Sequence, residues 1–153
     1  MAAVMPQPRS TSESVSFSFE ETREALTAKD LGEYLYYLRV LYGIAIHLFP
    51  EADPHTVLVE RERVHANVQE YLEKNGIDAV MRDSYASDLG DFELVISKLR
   101  KESPFEIILA GSLVALVVAA IISGGEVDFK VAKFKLKPIG DGLGKLKRLF
   151  KKG

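Results

Sequence analysis

Polar and apolar residues alternate strictly over Ser14-Val-Ser-Phe-Ser-Phe-Glu20, which places Val15, Phe17 and Phe19 on one side and predicts a half-buried strand. Leu31, Leu35, Leu38, Tyr42, Ala45 and Phe49 then recur at helical spacing up to Pro50, behind a Thr27–Asp30 pair that resembles a helix cap. Tyr34, Tyr36, Tyr37 and Tyr42 make this helix tyrosine-rich: either their rings bury and their hydroxyls stay wet, or they form a partner-binding face. After a turn at Pro50-Glu-Ala-Asp-Pro54, the residues Val57, Val64, Val68, Tyr71 and Leu72 mark a second amphipathic helix ending at Asn75-Gly76. A short helical piece around 78–85 and a turn at Asp88-Leu-Gly-Asp91 lead to a second strand, Phe92 to Arg100, expected to be covered on much of both faces. Strand, two helices and strand make an α+β head over residues 14–102, behind a Pro- and Ser-rich stretch, 1–13, that predicts disorder. Two strands form a poor sheet, so a third must be hidden or copies must pair.

The pattern changes at Ser103-Pro-Phe-Glu106, which has the residues of a capping box and a first-turn proline and opens onto the apolar run Ile107 to Ile122. No charge occurs from Ile107 to Gly125. With a single helix over 103–124, the charge-free run from Ile107 to Gly125 would reach roughly 28 Å, close to the ~30 Å hydrocarbon core of a bilayer. It is therefore a membrane-helix candidate. Gly111, Ala115, Ala119 and Ser123 repeat every four residues, and such small side chains let helices approach closely in lipid. A self-association face is the expectation, with packing against the protein's own head as the alternative.

Beyond Ser123-Gly-Gly125, Val127, Phe129 and Val131 share one parity and Phe134 and Leu136 the other, so a bulge or turn is expected near Ala132. Leu143, Leu146 and Phe150 among Lys145, Lys147, Arg148, Lys151 and Lys152 predict a short cationic amphipathic helix. Such a helix either anchors at a lipid surface or packs on the head. Charge sharpens the division: the net charge of −2 combines −8 over residues 1–125 with +6 over the tail, 126–153. A cationic tail beside an apolar helix points to anionic lipid head groups rather than nucleic acid. Basic residues flank the apolar run on both sides, so both flanks prefer the cytoplasm. Export of a charged head of about a hundred residues is difficult, so the head is expected on the cytoplasmic side of a membrane. A shallowly lying helix, or one that crosses only after oligomerisation, are the alternatives.

The succession of a Phe-rich strand, an aromatic helix after Leu26-Thr-Ala-Lys-Asp-Leu31, a strand running into Ser103-Pro-Phe-Glu-Ile-Ile-Leu109 and a Gly-Gly break before a basic tail resembles a group of small bacterial proteins without an assigned activity. The resemblance implies an α+β head joined to a hydrophobic helix. It carries over no catalytic residue.

Residues for chemistry are sparse. The absence of cysteine removes disulfides, thiolate metal sites and cysteine nucleophiles. Glu62 and His65 form a single Glu-x-x-His, whereas a di-iron bundle needs two, and His47 and His55 stand apart from them. Gly140-Asp-Gly-Leu-Gly-Lys145 lacks Walker spacing and reads as a flexible hinge. No catalytic residue, cofactor or metal is expected. The reading is a non-enzymatic, self-assembling membrane protein, in the manner of a bacterial membrane effector or signalling component. Its alternative is a soluble homo-oligomeric binding or scaffold protein with the hydrophobic helix in its core.

Overall fold

A computed structural model describes residues 12–101 and 104–151. Its strands are β1 (Ser12–Phe19), β2 (Val95–Arg100), β3 (Phe105–Ser112), β4 (Glu126–Asp128) and β5 (Lys133–Leu136), and its helices are α1 (Ala28–Leu48), α2 (Pro54–Val59), α3 (Arg61–Asn75), α4 (Ile77–Ala86), α5 (Leu113–Ile122) and α6 (Ile139–Lys151). The fold class is α+β. One mixed sheet runs in the order β2-β3-β1-β5-β4. In it β1 is antiparallel to β3, with Phe17 opposite Ile107, and parallel to β5, with Phe17 beside Phe134.

The hidden strand lies inside the apolar run. Residues 103–124 do not form one helix: Phe105–Ser112 is a strand hydrogen-bonded on both sides, and only ten residues, Leu113–Ile122, are helical. A strand bordered by two others buries much of both faces and so reads as a near-continuous apolar run. Ser112 ends it by capping α5, its hydroxyl accepting from the Ala115 N–H at 3.3 Å. Ten helical residues span about 15 Å, half a hydrocarbon core. Among the described residues no helix is long and apolar enough to cross a membrane. Of the proposed cap, Ser103 lies outside the described residues, and Glu106 is a strand residue.

Several local expectations match the structure. Thr27 caps α1 through the Asp30 N–H at 3.1 Å, α3 stops at Gly76, and the parity switch is a turn between β4 and β5 in which Ala132 has φ 50°. Others need correction. Residues 126–153 are not a separate tail, because β5 pairs with β1 in the central sheet and α6 packs on α1. Gly140 to Lys145 is no flexible hinge: it lies within α6, which begins at Ile139, and the carbonyl of Pro138 accepts from Asp141 and Gly142. The predicted lead-in 1–13 falls outside the described residues up to position 11, while Ser12 and Glu13 already belong to β1.

Sheet parity sets the core. Val15, Phe17, Phe19, Ile107, Leu109, Phe134 and Leu136 are buried on one face, together with α5 and the apolar sides of α1 and α6. The opposite parity carries Ser14, Ser16, Ser18, Glu106, Ile108, Ala110, Lys133 and Lys135.

Candidate interaction surface

Two surfaces stand apart from the core. The first is the sheet face just described, which presents small and charged side chains. Ser16 Oγ donates to Glu106 Oε2 at 2.6 Å across β1 and β3. Ile108 lies on this face outside the core cluster. At the end of β1 and β5 the face opens into a cleft of about 330 Å³ lined by Ser18, Lys133, Lys135 and Lys137 among others. The sheet's aromatic rings, Phe17, Phe19, Phe105 and Phe134, share the opposite parity with the core residues. The strands thus place no aromatic ring on the open face among the described residues.

The second surface is β2. Among the described residues it pairs with β3 alone at the end of the sheet, and all six of its residues are exposed, contrary to the covered strand expected from its composition. Val95, Ile96 and Leu99 are 50%, 44% and 48% exposed and stand outside the core cluster. A bulge at Ser97 shifts the register, so Ile96 faces Leu109 and Leu99 faces Ile107, whereas Lys98 faces Ile108. Ile96 and Leu99 therefore share the core-side parity while lacking a covering helix.

A polar clamp holds the start of β2. Arg39 of α1 grips Glu93 with Nε at 2.6 Å and Nη2 at 3.0 Å, and the same guanidinium donates to the carbonyls of Ser84 and Ser87 at the end of α4. This ties α1, α4 and the approach to β2 together, and the cation complements the C-terminal end of the α4 dipole. Beside it the Tyr42 hydroxyl donates to the Phe92 carbonyl and accepts from the Ser112 N–H, the latter at 2.7 Å. Burial pushes the Tyr42 phenol above its ordinary pKa.

No protein family, curated protein or solved structure matches this chain.

The residues singled out for self-association lie inside the fold. Ala115, Ala119 and Ser123 are buried in and just beyond α5, which packs on α1, and Gly111 lies in β3 against Tyr42. Their small size serves close packing within one chain. The Ser123 hydroxyl donates to the Ala119 carbonyl. The cations proposed to meet lipid are divided. Lys145, Arg148 and Lys151 are exposed, Lys147 is paired with Glu33 of α1 at 2.7 Å, and Lys152 lies outside the described residues. Their hydrogen bond holds Glu33 below the usual carboxylate range and pushes Lys147 up. The apolar side of this helix, with Leu143, Leu146, Leu149 and Phe150, is buried.

A cleft of about 340 Å³ gathers His47, Tyr71, Asp83 and Ser84, residue types found in hydrolases. Two of these groups have other partners: Ser84 Oγ donates to the Val40 carbonyl at 2.6 Å, and the His47 ring lies against Tyr71 with centroids 5.5 Å apart. No Ser84–His47 hydrogen bond of the kind that activates a nucleophile forms among the described residues. Sequence reasoning missed β2 as an exposed edge, because its residues have the composition of an interior strand. Lys98, Arg100 and Lys101, which are typical edge residues, were the available signal.

Proposed function

We propose that this protein is a non-enzymatic, homo-oligomeric binding or scaffold module that works through its free sheet edge, with the hydrophobic segment serving as its own core. The observation carrying this reading is β2, a terminal strand whose three large apolar side chains stand free of the core. Unpaired N–H and C=O groups along such a strand make it a template for pairing with another chain. Enclosure of α5 supports the same reading, since the residues that would face lipid are already in protein contact. Light scattering on the detergent-free, full-length protein tests it. A species of at least twice the chain mass is expected, and a monomer across the micromolar range overturns the proposal.

A second reading rests on the exposed cations of α6. Lys145, Arg148 and Lys151 would hold the protein against anionic head groups electrostatically, without inserting the buried apolar side of that helix. Flotation with anionic vesicles, abolished by salt, is the expected result. Equal binding to neutral vesicles removes this reading.

A further inference from the structure

Resting on the homo-oligomer reading, we infer that two copies join by antiparallel pairing of β2 with β2 about a two-fold axis at Ile96, extending the sheet across both molecules. A two-fold axis normal to the sheet brings an edge strand against itself and keeps each side chain on its own face. The register then depends on which residue lies on the axis.

The bulge at Ser97 makes the facing order Val95, Ile96, Lys98, Leu99, Arg100, as their partners Ala110, Leu109, Ile108, Ile107 and Glu106 on β3 show. With Leu99 on the axis, Lys98 of each copy would face Arg100 of the other. With Lys98 on the axis, the two Lys98 ammonium groups would face each other. Like charges directly opposite are destabilising in a sheet. With Ile96 on the axis, Ile96 meets Ile96 and Lys98 meets Val95, while Leu99 and Arg100 run past the start of the other copy's β2. Moving the axis back to Val95 would pair Val95 alone within β2. The Ile96 register is thus the longest one that sets no cation against another. It also covers Ile96, over which no helix packs among the described residues.

Lys98, Arg100 and the bulge are common protections of a sheet edge. Here they reject the competing registers and leave one.

Because the chain has no native cysteine, one introduced thiol reports the register. Residues directly opposite across antiparallel strands have Cβ atoms about 4.5–5.5 Å apart, near disulfide range after small adjustment. Full-length Ile96→Cys is expected to form a disulfide-linked dimer under mild oxidation. Leu99→Cys, of similar exposure, sits four residue steps or about 13 Å from its copy in this register and is expected to show only collisional cross-linking. Ile96→Lys is expected to shift the parent oligomer to a smaller species while keeping its circular dichroism. A parent oligomer in which Ile96→Cys stays uncross-linked, or in which Leu99→Cys links equally, overturns this interface and leaves the homo-oligomer reading standing. Efficient linkage only in a mixture of the two cysteine variants means that Lys98 lies on the axis, which also overturns the proposed register. A monomeric parent overturns both.

Discussion

Tyr42 and Gly111 occupy mutually dependent positions: a β-carbon added at Gly111 would overlap the Tyr42 hydroxyl and come within 3.0 Å of its ring carbon Cζ. The absence of a side chain lets the phenol reach the Ser112 N–H, at the junction where β3 becomes α5. Gly111→Ala is therefore expected to destabilise the fold by about 1–3 kcal/mol through overpacking. Denaturant melts of the detergent-free protein check this, and an unchanged midpoint would show that Tyr42 moves aside without cost.

Two buried tyrosines should respond oppositely to loss of the hydroxyl. Tyr42→Phe leaves the Ser112 N–H and the Phe92 carbonyl without this partner, an expected loss of about 1–3 kcal/mol. The Tyr34 hydroxyl makes no hydrogen bond of good geometry among the described residues; the nearby Ser123 hydroxyl, which donates to the Ala119 carbonyl, only partly offsets the upward push of burial on its pKa. Tyr34→Phe is expected to be neutral or stabilising by about 1 kcal/mol, because it removes a buried, unpaired polar group. Equilibrium urea unfolding of the two variants gives the comparison.

Alkaline pH should expose the same pair. Burial raises both phenols above their ordinary value, so the native state holds protons that the unfolded chain releases above about pH 10. Their contribution to stability is intact below that pH and falls as pH rises toward the folded-state values. Tyr34→Phe is expected to flatten the decline of the unfolding midpoint between about pH 10 and 11. A parallel decline in parent and variant would show that Tyr34 is not responsible.

At the approach to β2, Arg39→Met is expected to cost about 2–3 kcal/mol, since one guanidinium serves a carboxylate and two helix-end carbonyls. Glu93→Gln, which keeps the shape and removes the charge, should cost less. Hydrogen exchange at residues 84–96 distinguishes a local opening from global loss: faster exchange confined there is the expected pattern for Arg39→Met.

The α1 cap, the α3 stop and the turn at Ala132 were legible because each follows from neighbouring residues: a hydroxyl three positions before an N–H, a glycine able to take positive φ, and a change of parity. The nature of Ile107 to Ile122 was not. An apolar run has the same composition as a central strand, a core helix or a membrane span, and Gly111-Ser112 in its middle was the one local sign of a break. Likewise the small residues at Gly111, Ala115 and Ala119 announced close approach and left open what approaches; the structure places Tyr42 and α1 there.

By itself the sequence determined the amphipathic helices, the strand alternation of β1, the segregation of charge and the lack of thiol chemistry, all properties of residues close along the chain. Only tertiary structure decided that the cationic segment supplies β5 to the central sheet, that the apolar run divides between β3 and α5, and that β2 is left at an edge. Strand neighbours are chosen by hydrogen bonds between residues far apart in sequence. Which strands end the sheet is therefore settled when all five have found partners, and no single segment carries that information.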